Sequence, residues 1–456
     1  MDFLDRIEER QRMESFLSAE EGGIACLWGR RRCGKTRLLR ELLRNRAGSL
    51  LFVADQSAPP LQRARLAADL ATILPGFDRV GYPDWGSLLD RWLSESSRGA
   101  TLVLDEFPYL AKRSPELPSV LQRVADRLAG SGRRLIVCGS SQRMMQGLVL
   151  DEAAPLYGRC REILHVRPLP FEWTRKAFPG LSPRQRLERW AVWGGVPRYW
   201  ELDGGRASLE ATLRREVFSP LAVLRNEPQF LLLDNTSDPV QAASVLAVVG
   251  QGTGRLSEIA SRLGVQATEL PRPLKRLVAL GLLAKESPFG SNPQSGKHSF
   301  YRVDDPFLDF WYRFVRPRFS DEAYLSDRTD RNSFRAAFDA YLGIVWERLV
   351  RESLTSHPLP GLPGRWIHAA RWWGAGTNRK PLEIDVVAES PNGTALLVGE
   401  CKLSLTPTEF RHEKAELTAK AALLPFAAHY ETIHTRIFVG GPAPASAVGI
   451  SWLDAR

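Results

Sequence analysis

The sequence is poor in the features that mark secreted and membrane proteins. Its 456 residues include five cysteines, an odd number, scattered and without a Cys-x-x-Cys pair. That pattern excludes a disulfide framework and any legible zinc site, and suggests reduced thiols in a cytosol. No apolar run reaches membrane-spanning length, and the acidic opening Met1-Asp-Phe-Leu-Asp-Arg6 lacks the basic and apolar regions of an export signal. A cytoplasmic location without a membrane partner is expected. No internal repeat or low-complexity tract is present, which sets aside repeat architectures.

The composition, 25% charged and 44% hydrophobic, is ordinary for a globular chain of roughly three domains. A net charge of +10 favours polyanionic partners, or arginines spread over solvated faces.

Gly29-Arg-Arg-Arg-Cys-Gly-Lys-Thr36 fits G-x-x-x-x-G-K-[ST]. In that pattern backbone N–H groups wrap phosphate oxygens, the lysine neutralises the terminal phosphates and glycine permits close approach. The apolar Ile24–Trp28 predicts a strand before it, and Lys35 to Arg46 has helical periodicity, so the phosphates would meet a helix N-terminus. Gly29, Arg30, Arg31, Arg32, Cys33, Gly34, Lys35, Thr36 and Arg37 are thus candidate nucleotide contacts.

Such a loop needs a second, acidic strand end, and Thr101-Leu-Val-Leu-Asp105-Glu106 supplies it. Thr36 and Asp105 are expected to hold Mg²⁺, with Glu106 positioning the attacking water. A third strand, Arg134–Cys138, runs into Gly139-Ser140-Ser141 and places the Ser140 hydroxyl beside that water, although serine is also common at strand ends for turn chemistry.

Strands alternate with helical segments in residues 1–170, the pattern of a parallel α/β nucleotide-binding core. Residues 171–235 read as a helical lid broken by Gly194-Gly-Val-Pro197, and residues 236–316 as three helices and a hairpin, a winged helix. Its third helix carries Arg272, Lys275 and Arg276 for DNA reading, but Pro271 and Pro273 crowd it. A connector is expected over 317–335 and a further domain over 336–456.

In that last domain, Leu382–Val387 and Ala395–Lys402 flank Asn392-Gly393, the strongest short hairpin signal. A two-residue turn there sets Asp385 opposite Glu400 and Glu383 opposite Lys402, all on one face, with Ile384, Val386 and Ala388 on the buried one. Facing carboxylates repel, so a cation between them makes sense of the pair. Metal on Asp385 and Glu400, Mg²⁺ or Mn²⁺, would activate water against a phosphodiester, with Lys402 stabilising developing charge. Glu347, on an apolar-periodic helix Tyr341–Leu354, is a further candidate acid.

These motifs, with Phe3-Leu-Asp-Arg6, Leu104-Asp-Glu-Phe-Pro-Tyr109, Leu156-Tyr-Gly-Arg159, Asp305-Pro-Phe-Leu-Asp-Phe-Trp311 and Gly399-Glu-Cys-Lys402, run through nearly the whole chain. They resemble prokaryotic archaeal-type ATPases related to the AAA+/STAND P-loop group, which carry a winged helix and a C-terminal PD-(D/E)XK nuclease-like domain. The resemblance implies that Phe3 and Arg6 lie near the base and that Arg159 senses the γ-phosphate, in cis or in trans. It also implies that Glu347, Asp385, Glu400 and Lys402 form the nuclease-like centre. Cys33 departs from the branched aliphatic residue usual there, which puts the loop's indifference to oxidants in doubt.

The expected protein is an ATP-hydrolysing switch coupled to a metal-dependent nuclease-like module acting on nucleic acid, DNA before RNA, with homo-oligomers allowed for. The alternatives are a nucleotide-regulated scaffold and a DNA-binding regulator with an inactive nuclease fold.

Overall fold

The computed structural model describes residues 3–152, 154–291, 299–321, 323–362 and 364–454. Five apolar segments, β1 Gly23–Trp28, β2 Ser49–Val53, β3 Thr101–Asp105, β4 Arg134–Gly139 and β5 Cys160–His165, form a parallel sheet in the order β2-β3-β4-β1-β5. β3 and β4 are buried along their full length, as parallel strands covered on both faces must be. Ile24 and Cys26 face the helices Pro59–Ala71, Trp85–Glu95 and Leu117–Leu128, while Ala25 and Leu27 face Ile7–Ser18 and Lys35–Leu43. Because β4 lies between β1 and β3, the C-terminal ends of all three share one edge, where ligands of open α/β sheets bind.

Beyond the sheet the chain turns helical, with Pro183–Trp193, Pro197–Asp203 and Glu227–Asn235 among the first helices. The break between the first two is a close approach. Gly194 takes φ +54° against Pro306, and a Cβ on Gly195 would lie 1.8 Å from the Leu169 carbonyl oxygen. Where the sequence predicts a winged helix, helices Pro239–Gly250, Leu256–Leu263 and Pro271–Ala279 precede an antiparallel pair, β6 Leu283–Glu286 and β7 Phe300–Val303. Pro271 and Pro273 sit in the first helical turn, where the missing N–H has no intrahelical use. Crowding is therefore avoided, and Arg272, Lys275 and Arg276 are exposed. The turn-rich stretch expected between these strands lies, from residue 292, outside the described residues.

The connector expected over 317–335 is helical from Arg328, where a 26-residue helix, Arg328–Ser353, begins. It packs on the second sheet, whose strands β8 Ile367–Ala375, β9 Pro381–Glu389, β10 Ala395–Lys402, β11 Thr432–Val439 and β12 Val448–Gly449 lie in the order β12-β11-β10-β9-β8. Val345, Trp346 and Leu349 of the long helix share a core with Val386, Ala388 and Leu397, and that core runs on into the lid and the three-helix unit. Helix Pro407–Ala422 covers the opposite face, over Val387, Leu396 and Val398. The second sheet thus shares one apolar core with the lid and the three-helix unit, while the two faces of the first sheet pack in cores of their own. Phe289, beyond β6, is packed into the C-terminal domain beside Phe426, and its N–H donates to the Arg371 carbonyl at 2.8 Å.

Gly195→Ala should be destabilising by about 2 kcal/mol or more, the range for forcing atoms into a packed site. Urea unfolding of the purified variant checks this; an unchanged midpoint would show that the lid break relaxes freely.

Candidate functional site

At the shared edge of β1, β3 and β4 the phosphate-loop residues meet the acids. Lys35 is buried, and its ammonium donates to the carbonyls of Gly29 at 2.9 Å and Arg30 at 3.0 Å. The Thr36 hydroxyl donates to Asp105 Oδ2 at 2.5 Å, and the other Asp105 oxygen accepts from the Glu106 N–H at 2.9 Å. Glu106 holds φ +51°, a left-handed conformation that only a sharp strand-to-helix turn imposes on such a residue. The turn aims its carboxylate at Ser140, whose hydroxyl donates at 3.0 Å. Burial, then the neighbouring Asp105 charge, raises the Glu106 carboxyl above its ordinary range, the direction that favours a base.

The motif gives phosphate contact to the loop's backbone N–H groups and to Lys35, and the side chains of the loop arginines are engaged with acids. Arg30 is buried, pairs with Asp305 and donates to the Tyr199 hydroxyl at 3.2 Å. Arg31 lies 3.5 Å from Asp234, and Arg32 2.8 Å from Glu227, which also accepts from Tyr199 at 3.0 Å. The cause is charge density: three guanidiniums beside Lys35 need acids to balance them. Arg37 points off the loop to Glu201 at 3.1 Å and stacks over Phe3. Arg6 braces the loop from below, donating to the Cys33 carbonyl at 3.0 Å. Cys33 itself is fully buried and its thiol is held above the usual range by burial. The oxidation sensitivity expected of it does not follow from this placement.

Arg159 does not reach the loop of its own chain. It precedes Cys160, which pairs with Ile24 at the N-terminal end of β1, roughly 15 Å of strand away from the phosphate loop. There it lies 3.4 Å from Asp126. That position does not suit the cis alternative.

The C-terminal cluster differs in detail from the expected hairpin. Residues 396–399 of β10 pair with 389–386 of β9 in the predicted register, although Ser390 and Ala395 close a four-residue rather than a two-residue loop. The ladder stops at Gly399–Val386 because β9 carries one extra residue relative to β8 between the pairs Trp372–Ile384 and Ala370–Val387. This bulge turns Ile384 to the opposite core from Val386 and re-aims Asp385, whose Oδ2 accepts from the Cys401 N–H at 2.9 Å. Neither Asp385–Glu400 nor Glu383–Lys402 is a facing pair. Glu383 bonds Arg371 instead, and Lys402 lies 3.3 Å from both Glu400 and Glu413.

Asp385 nonetheless remains electrostatically central. Its charge, after burial, raises the carboxyls of both Glu347 and Glu400. Arg351, which sequence reasoning missed, lies 3.6 Å from Glu347 and donates to the Asp385 carbonyl at 2.7 Å. Its position one turn after Glu347 on the same helix was the available signal. Glu400 Oε2 is buried without a hydrogen bond, with the Lys420 ammonium 3.8 Å away. Among the described residues, no three His, Cys, Asp or Glu side chains are grouped so as to hold a metal ion.

Glu347 has its carboxyl raised to about 7. A folded-state value above the unfolded one favours the native state most below the unfolded value, and that advantage is lost as pH rises through the folded one. Glu347→Gln should therefore gain stability relative to the parent between pH 5 and pH 8, by up to about 3 kcal/mol. Paired urea titrations across that range decide it, and a pH-independent difference would refute the assignment.

Residues 311–415 match a family described as archaea bacterial proteins of unknown function. MJECL04, an uncharacterized protein of Methanocaldococcus jannaschii, is 28% identical over 402 residues, which are 88% of this chain and 87% of that protein. Among solved structures, the Walker-type ATPase paby2304 of Pyrococcus abyssi aligns with a TM-score of 0.50 at 19% identity, covering 68% of this chain and 96% of its own. The ORC2 protein of Aeropyrum pernix, in ADPNP–ADP complexes, gives 0.44 at 12% identity over 73% and 96%. With its phosphate loop at the edge of a five-stranded parallel sheet, the chain has the Walker-type P-loop ATPase fold, extended by a separate C-terminal mixed sheet.

Proposed function

We propose that this chain is an ATP-hydrolysing switch whose nucleotide state controls a nuclease-like module acting on nucleic acid, DNA before RNA. The observation that carries the ATPase reading is the run Thr36–Asp105 and Glu106–Ser140 beside Lys35. The residues suit ATP. Lys35 exchanges two loop carbonyls for terminal phosphate oxygens, and the loop N–H groups wrap the remainder. Thr36 and Asp105 are the oxygen donors that fit Mg²⁺, which when bound neutralises phosphate charge. Glu106 orients the attacking water and takes its proton, and Ser140 fixes the Glu106 carboxylate. Arg159, remote from the phosphate loop of its own chain, serves a neighbouring copy in an oligomer.

The exposed row Arg272, Lys275 and Arg276 and the net positive charge support a polyanion partner. In the C-terminal cluster, Asp385 and the unbonded Oε2 of Glu400 are the atoms suited to a divalent cation, which would supply an activated water, with Lys402 beside them for the phosphorus centre. One observation favours a second reading: Arg351, Arg371, Lys402 and Lys420 already pair with the cluster's carboxylates, Glu347, Glu383 and Glu400. A nucleotide-regulated scaffold that grips a partner without cutting would use that arrangement.

Lys35→Ala should abolish ATP turnover and nucleotide binding together. Glu106→Gln should keep binding and lower turnover by about 100-fold or more. Full turnover in both variants would remove this loop as the engine. DNA cleavage with Mg²⁺ or Mn²⁺, with and without ATP, is expected from the parent and not from Asp385→Ala. ATP hydrolysis without cleavage under any condition would establish the scaffold reading.

A further inference from the structure

Two motifs noted in the sequence, Gly194-Gly-Val-Pro197 and Asp305-Pro-Phe307, have no role in the chemistry above, yet they meet at the phosphate loop. Gly194 lets Pro306 close against the lid break, and the helix after that break carries Tyr199, whose ring packs on Phe307 at 4.9 Å. Between them Arg30 holds Asp305. Asp305 also caps the helix Pro306–Phe310, its other oxygen accepting from the Leu308 N–H at 3.0 Å. One turn further on, Asp309 is buried and lies 3.3 Å from Arg348, itself buried on the long helix Arg328–Ser353. The residues flanking Arg348 by one and three positions are Glu347 and Arg351, which lie beside Asp385.

We propose that Asp305 and Asp309 are positioning residues of a nucleotide relay, transmitting occupancy of the phosphate loop to the C-terminal carboxylate cluster. The inference deepens the nucleotide-switch reading and rests on it, but not on nuclease activity. The two-state element is Arg30. Its carbonyl accepts from Lys35 while its side chain holds Asp305, so Lys35 cannot turn to phosphate without freeing the backbone of the residue that anchors the relay. A buried ion pair has few alternative positions, because breaking it leaves an uncompensated charge. A shift of Arg30 therefore moves Asp305 and, through one rigid helical turn, Asp309 and Arg348. Both ends bias one element, which is the requirement for real coupling rather than mere adjacency.

The test is hydrogen exchange on the full chain, read by mass spectrometry with and without ADPNP and Mg²⁺. In the parent, ADPNP should change exchange in segments 306–318 and 345–353. Tyr199→Phe keeps the ring and its packing but removes the hydroxyl between Arg30 and Glu227. Asp305→Asn keeps the helix cap but removes the charge. Both variants should still bind ADPNP, while the response in 345–353 falls about fivefold or more, the low end of ordinary allosteric coupling. If Asp305→Asn does not fold, Asp309→Asn, which removes the charge beside Arg348, takes its place and decides. An undiminished response in the folded variants, or binding by the parent with no response in 345–353, overturns the relay. Failure of the parent to bind ADPNP at all overturns the nucleotide reading instead, and the relay with it.

Discussion

Three consecutive arginines near the buried lysine of the same loop put four positive charges into a short stretch of backbone, and the placement of acids that balance them governs the rest of the molecule. One of those guanidiniums is buried outright, where an unpaired charge would cost several kcal/mol. Its partners are Tyr199 of the lid and Asp305, at the start of the segment leading to the C-terminal domain. The loop is therefore also a fastening point. Helix Glu227–Asn235 supplies two of the acids and, at its other end, accepts from Ser141 and Gln142 just past β4. Lid, loop and the strand end that orients Glu106 form one polar assembly.

The second sheet shows the same economy of charge in a different form. Each carboxylate of its cluster has a cation or a backbone donor within reach, and the bulge in β9 exists where Asp385 turns to the Cys401 N–H. Bulges of this kind commonly re-aim a side chain at a working site. Burial, and after it the charge of Asp385, raises the carboxyls of both Glu347 and Glu400.

What was legible in the sequence follows from range. The phosphate loop, the acidic strand end and the serine after β4 are local motifs whose backbone geometry is set by the residues beside them, and the parallel core follows from its apolar runs. The β9–β10 register was legible because Asn392-Gly393 centres the loop whether it has two residues or four. The bulge was not, since it depends on how β8 and two covering helices share the strand. Nor could the partners of Arg30, Arg31 and Arg32 be read, because Tyr199, Glu227, Asp234 and Asp305 come near only through the lid and the three-helix unit. The motifs Gly-Gly-Val-Pro and Asp-Pro-Phe marked those places without saying what they touched. Whether Arg159 acts in cis or in trans was left open by the sequence for a topological reason: motif order along the chain does not say which end of β5 its residue occupies.

The seating of Phe289 in the C-terminal core has a consequence for how a duplex could be met. A β-hairpin that extends freely from such a three-helix unit can probe a groove from the side, whereas here its base is fastened to Arg371 and Phe426. Among the described residues of this unit, the short helix Pro271–Ala279 exposes Arg272, Lys275 and Arg276. Contacts from such a face go mainly to the sugar–phosphate backbone, which fixes orientation and carries no base identity. A nucleic acid bound on such a face would be read by the charge density of the polymer rather than the order of its letters, with a grip that weakens steeply as salt rises.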